Sequence, residues 1–263
     1  MIDRNEHPIA WREAGSGDPV LFLHAMAGSR TAWEPQLRAL SGQYRCIAWD
    51  MPGFGASALP PVGAGVDTIA DMLAFFARKT LMLAKAHFVG LSVGAMILMR
   101  FATRHPALCR SLTLMDTSPK FGFGGDARPE AFAEPILRAL SEGVAIDQFS
   151  AGMVKAIVGP ACPATVVEEA TVAMARAKRE GLRLTTRLIA DHDGVADLPQ
   201  IACPVLAMAG ADDAETPPAY AEAIAGMAAR GEVCIVPAAG HLANLENSAA
   251  VNESLADFLA RHS

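Results

Sequence analysis

Six short apolar runs punctuate this chain, and longer segments with helical periodicity lie between them. The runs are VLFLH (Val20 to His24), YRCIAWD (Tyr44 to Asp50), AHFVGL (Ala86 to Leu91), SLTLMD (Ser111 to Asp116), PVLAMAG (Pro204 to Gly210) and EVCIVP (Glu232 to Pro237). A strand with one solvated face alternates apolar and polar residues. Near-continuous apolar character is what a parallel strand needs when helices cover both of its faces. Strand, helix, strand, helix in this order predicts an α/β fold with a mostly parallel, doubly wound sheet. At 263 residues the chain suits one large α/β domain or two small ones, and it can bury a substantial core.

The intervening segments supply the helices. IADMLAFFARKTLMLA (Ile69 to Ala84) is predicted to be one, with Asp67 or Thr68 as its cap. VGAMILMRFATRH (Val93 to His105) is apolar nearly all round, which suits a buried central helix that Pro106 limits. AAVNESLADFLARH (Ala249 to His262) is the last. From Lys120 to Asp191 the alternation breaks. The segments Pro129 to Gly143, Ala145 to Gly159 and Thr165 to Ala190 all read as helical, and a glycine-rich lead-in, FGFGGDARP, precedes them. Helices inserted between two strands of one sheet predict a cap. The expected division is a core of residues 1–119 and 192–263 and a helical cap of residues 120–191.

Composition excludes several classes. With 52% hydrophobic and 19% charged residues the chain is neither disordered nor fibrous. A formal charge of −6 argues against a nucleic-acid partner, which needs a basic footprint. No apolar run approaches the ~20 residues that span a bilayer, so no membrane partner is expected. The start, MIDRNEHPIAW, lacks the basic head and apolar stretch of a secretory signal. The five cysteines, Cys46, Cys109, Cys162, Cys203 and Cys234, are widely spaced without a CxxC pair. Reduced thiols in a cytoplasmic protein without a metal site are the expectation.

The chemistry centres on HFVGLSVGAM (His87 to Met96), in which Gly90 and Gly94 flank Ser92 between a predicted strand and a predicted helix. A G-x-S-x-G elbow holds a nucleophile on a tight strand-to-helix turn, and its flanking positions must be small because backbones crowd there. A plain turn could hold the same five residues; the strand before and the helix after favour the elbow. A serine hydroxyl needs a base. His241, in PAAGHLANLEN, follows the last predicted strand at the same sheet edge. The other six histidines, His7, His24, His87, His105, His192 and His262, read as structural or exposed. The base in turn needs an acid to fix its tautomer. MAGADDAETPP offers Asp213, with Asp212 as a neighbouring candidate and Asp116 as a third, at the end of the strand after the elbow helix. The order Ser92, Asp213, His241 is that of triads on such sheets. The backbone N–H groups of Val93, directly after the nucleophile, and of Met26, in HAMAGS, are the expected oxyanion donors.

These segments together resemble the α/β-hydrolase superfamily over nearly the whole chain. IAWREAGSGDPVLFLHAMAGS is similar to its opening strands and oxyanion loop, DMPGFGAS to its D-x-x-G-x-G-x-S turn, VGLSVGA to its elbow, GADDAETPP to its acid loop and AAGHLANLENS to its histidine loop. The family usually carries Gly after the first-loop histidine where this chain has Ala25, which puts the position of the Met26 donor in question. The size, the cap and GLSVGA resemble 3-oxoadipate enol-lactonase-like hydrolases most.

The resemblance implies a serine hydrolase acting on a small-molecule ester or lactone, with no cofactor required. Carbon–carbon hydrolysis of a vinylogous diketone, and a ligand-binding protein with a silent triad, remain alternatives. Activity should rise with pH through roughly 6 to 7 as His241 loses its proton, or higher if its acid partner moves it upward. The pocket under the cap should be mostly apolar. Phe121, Phe123, Phe132, Phe149 and Met153 are candidates to line it, and core packing is the plainer role for each. Lys120, Arg128 and Arg138 are candidates to pair with a substrate carboxylate, and solvated surface charge is the plainer role.

Overall fold

The computed structural model describes residues 1–26 and 28–263. The chain runs β1 (Ile2–Arg4), β2 (Trp11–Ala14), β3 (Asp18–Leu23), α1 (Glu34–Leu40), β4 (Tyr44–Trp49), α2 (Val66–Phe75), β5 (Ala86–Leu91), α3 (Val93–Arg104) and β6 (Cys109–Met115). Four helices follow without a strand among them: α4 (Pro129–Ser141), α5 (Asp147–Ile157), α6 (Ala164–Ala175) and α7 (Arg179–Ala190). The chain then returns to the sheet as β7 (Val205–Gly210), α8 (Pro218–Met227), β8 (Gly231–Val236), α9 (Ala243–Glu246) and α10 (Ser248–Arg261). The eight strands form one sheet in the order β1-β2-β4-β3-β5-β6-β7-β8. β1 with β2 and β2 with β4 are antiparallel, and the remaining pairs are parallel.

Each of the six apolar runs forms a strand, and the period of two explains why they are so rich in apolar residues. Successive side chains leave opposite faces of the sheet. Leu21, Leu23, Ile47, Trp49 and Phe88 enter the hydrophobic cluster on one face. Their neighbours Val20, Phe22, Cys46, Ala48, Val89 and Leu91 enter the cluster on the other. α3 packs in the first cluster, and α10 contributes Val251, Leu255, Phe258 and Leu259 to the second. The chain enters the middle of the sheet at β3, places β4 on one side and β5 on the other. The loops after β3 and β5 therefore part over a crevice at the carboxyl ends of the strands, where doubly wound sheets hold their ligands.

Three local expectations change. The segment Thr165 to Ala190 is two helices. Lys178 is extended, with φ −79° and ψ 144°. Its ammonium donates to the Ser57 carbonyl at 2.6 Å, and a Cβ on Gly181 would strike the backbone of Gly53. The chain turns there, and the helix that follows sets Gly181 against Gly53. The helix after Gly65 starts at Val66 and ends in one wide turn over Phe76–Thr80, so Leu81 to Ala84 lie outside it. Asp67 lies in its first turn, without a capping hydrogen bond there, and binds the Arg100 guanidinium at 2.6 Å. Finally, β8 is an edge strand with Val233 48% and Ile235 38% exposed, so this apolar run is covered on one face.

Candidate active site

Ser92 joins β5 to α3 with φ 54° and ψ −120°. A side chain in this region costs on the order of 1–3 kcal/mol, so the surroundings must hold it. The Ser92 N–H donates to the Met115 carbonyl of β6 at 2.9 Å. The Ser92 carbonyl accepts from the Ala95 and Met96 N–H groups and from the Thr117 hydroxyl. The flanking glycines are required by close approach. A Cβ on Gly90 would stand 2.6 Å from the Ala95 nitrogen, and one on Gly94 would stand 2.5 Å from the Leu23 carbonyl oxygen.

The structure brings Ser92, His241 and Asp213 together, all at carboxyl ends of the sheet. The Ser92 Oγ lies 3.0 Å from His241 Nε2, and His241 Nδ1 lies 2.9 Å from Asp213 Oδ2. An ionised carboxylate can only accept, so Nδ1 carries the proton and Nε2 is free to take one from Ser92. Asp213 accepts further from the Glu215 and Thr216 N–H groups, at 2.9 and 3.0 Å, and from the Thr216 hydroxyl at 2.7 Å. Burial works against its charge, but the His241 and Thr216 hydrogen bonds outweigh it and hold Asp213 below the usual carboxylate range. Burial likewise opposes a charged His241. The Asp213 hydrogen bond and the charges of Asp213, Asp116 and Glu215 prevail, and the imidazole is raised to about 8.

The other two acid candidates stand differently. Asp212 is exposed, and its N–H donates to the Ala239 carbonyl. Asp116 is fully buried with φ 45° and accepts from Gly210 N–H at 2.9 Å and Ala243 N–H at 3.1 Å. It thus ties the start of the acid loop to the histidine loop. Burial, with the nearby Asp213 charge, pushes its carboxyl up to about 7 against the pull of His241.

Val93 is the first residue of α3. The first N–H groups of a helix have no intrahelical acceptor, which leaves this one at the helix's positive end beside Ser92. Met26 lines the same cavity as Ser92 and His241. The Ala25 carbonyl accepts from Gly28 N–H at 3.0 Å and from His24 Nδ1 at 2.8 Å. In a planar trans peptide the Met26 N–H points the opposite way. Ala25 is not among the residues of positive φ, so the usual glycine is not needed there for backbone reasons.

A bracket of buried groups supports this loop from behind. His24 Nε2 accepts from Met51 N–H at 2.9 Å, which fixes its proton on Nδ1. Asp50 accepts from Arg30 N–H at 2.8 Å and Ala56 N–H at 2.9 Å, and the Ser57 hydroxyl donates to the Asp50 carbonyl at 2.6 Å. The turn DMPGFGAS is therefore a hydrogen-bonded support for the first loop.

Two residues escaped the sequence reading. Thr216 holds the acid as described. Glu246 accepts three backbone N–H groups: Gly159 at 2.8 Å, Gly240 at 2.9 Å and Leu242 at 3.0 Å. It clamps both sides of His241 and joins them to the chain just after α5. The His241 N–H adds a bond to the Ile157 carbonyl at 2.9 Å. The available signal was a glutamate five residues after the base, which spacing alone does not distinguish from a surface charge.

A cavity of about 1490 Å³, open to solvent on one side, is lined by Ser92, His241 and residues of the inserted helices. Phe121, Phe132 and Met153 line it, as do Met26, Met96 and Met174. Phe149 packs against the core instead, and the Phe123 ring meets Tyr220 edge-on at 5.4 Å. Lys120, Arg128 and Arg138 are exposed and stand outside the lining. Among the described residues there is no cluster of three or more potential metal ligands and no helix long and apolar enough to cross a membrane. All five cysteines are free thiols.

Comparison with known proteins places this geometry in context. The profile of a family described as alpha/beta hydrolase fold matches residues 18–135, and that of a family described as TAP-like protein matches residues 186–263. A Mycobacterium tuberculosis protein that carries the name non-heme bromoperoxidase is 28% identical over 279 residues, covering 96% of this chain and 97% of the relative. The 3-oxoadipate enol-lactonase 2 of Acinetobacter baylyi is 23% identical, over 92% of this chain and 88% of its own. A solved thermophilic esterase from Thermogutta terrifontis superimposes with a TM-score of 0.86 at 27% identity, covering 97% of this chain and 94% of that one.

Proposed function

This chain belongs to the α/β-hydrolase superfamily, and from that premise we propose that it is a serine hydrolase of the esterase or lactonase type, acting on a small ester or lactone. One observation carries the reading: the unbroken hydrogen-bond chain Ser92, His241, Asp213 lies at the wall of a largely apolar cavity.

In this reading His241 takes the hydroxyl proton as Ser92 Oγ attacks the carbonyl carbon. The oxyanion forms against the N–H groups of Val93 and Met26. Each such donor contributes about 3–4 kcal/mol to the transition state at most. The C–O bond to the leaving group then breaks, and the imidazolium, held by Asp213, gives its proton to the departing oxygen. Water repeats the cycle on the acyl-enzyme and frees the acid. Residues 120–191 act as the cap over a core of residues 1–119 and 192–263, and the protein works in the cytoplasm. Esterase and enol-lactonase relatives, with the strained Ser92 backbone, support hydrolysis over passive ligand binding.

The test is turnover of p-nitrophenyl butyrate by wild type and Ser92→Ala at a pH above the His241 value of about 8. Ser92→Ala should lose activity by about 10⁴-fold or more. Equal turnover by the two proteins would refute the reading.

A further inference from the structure

We propose that this site selects an uncharged, apolar acyl group of medium chain length and rejects acyl groups that carry a distal carboxylate. The inference rests on the serine-hydrolase reading above and specifies its substrate.

The cavity is larger than the usual small-molecule site of about 300–1,000 Å³, so it takes more than an acetyl group. Its apolar wall includes Met26, Met96, Phe121, Phe132, Met153 and Met174. Each methylene that moves from water onto such a wall gains about fourfold in binding. Methionine adapts its shape, which suits a flexible chain.

A carboxylate at the far end of the acyl group needs a cation, and among the described residues the lining offers none that is free inside, since His241 is held by Asp213 beside Ser92. Arg30 is already spent on Asn5 at 2.7 Å and on Asp3 and Asp50 at 3.6 Å. Arg38 pairs with Glu34 at 3.3 Å and is 70% exposed. Arg176 is exposed, and it shares the lining with the exposed Glu168, Glu169 and Glu215. With the pairs Arg30–Asp50 and Arg38–Glu34 set aside, three acids face one base at the lining. An anion would cross a negative rim and then lie unpaired against apolar side chains. An unpaired buried charge is strongly disfavoured.

Three esters test this: p-nitrophenyl acetate, p-nitrophenyl hexanoate and the mono-p-nitrophenyl ester of adipic acid. The last has the six-carbon chain of the hexanoate with a terminal carboxylate. The expected kcat/KM for the hexanoate exceeds that for the acetate by about tenfold or more and that for the adipate monoester by about 100-fold or more. Glu168→Lys with Glu169→Lys should narrow the adipate penalty, and an unchanged penalty would contradict the role given to the rim. An adipate monoester turned over as well as the hexanoate, with all turnover lost in Ser92→Ala, overturns the inference and leaves the hydrolase reading intact. No Ser92-dependent turnover of any of the three overturns both.

Discussion

In the proposed mechanism His241 carries two opposed demands: it must be neutral to take the Ser92 proton and charged to release the leaving group. Its surroundings favour the charged form and raise it to about 8. Below that value the base is protonated and idle, so kcat/KM should rise as pH climbs through about 8 and level off above it. This is higher than the 6 to 7 of an unperturbed histidine, and Asp213 is the main reason it moves upward. Asp116 contributes through its charge. Asp116→Asn removes that charge and can accept only one of the two N–H bonds at this position. The pH–kcat/KM profile of this variant should move its midpoint down; a midpoint that stays put would mean the Asp116 carboxyl does not act on His241. At this scale the site was half legible. Ser92 carried its spacing, and Asp213 and His241 each followed an apolar run. Thr216 and Glu246 carried no such mark, because their roles depend on backbone N–H groups brought near by folding from as far as 87 residues away.

At the scale of elements, packing decides what periodicity leaves open. The long helical pattern before Ala190 breaks at Lys178, and the helix after the break sets Gly181 against Gly53 backbone to backbone. Helix propensity does not register that contact. The same holds for β8, whose apolar residues look like those of a central strand although it has a neighbour on one side only. Glu246 is the element-scale joint between cap and histidine loop. Glu246→Ala would leave three peptide N–H groups without their acceptor, at a cost of about 1–3 kcal/mol or more. For a chain of this size each kcal/mol lowers Tm by about 2–4 °C. Hydrogen exchange at Gly159 and Gly240 should quicken with it. Unchanged exchange at both amides would show that the clamp is not formed in solution.

The whole molecule places its chemistry by topology. Because the chain enters mid-sheet at β3 and departs to both sides, the Met26 loop and the Ser92 elbow end up adjacent over the crevice. β7 and β8 bring Asp213 and His241 to the same edge of the strands. That the strands are mostly parallel and end at one edge was readable from the order of apolar runs, since parallel strands with helical crossovers leave few ways to wind, whereas the order of strands in the sheet was not. The helices between β6 and β7 were readable too, but not the cavity they help to line, which depends on where α4 to α7 dock. The central claim is that this architecture activates Ser92, and intact-mass labelling by a small dialkyl fluorophosphonate tests it most directly. At a pH above the His241 value of about 8, wild type should gain one adduct, mapped to Ser92, while folded Ser92→Ala gains none. An adduct that persists in Ser92→Ala, or folded wild type that stays unlabelled, would contradict the account.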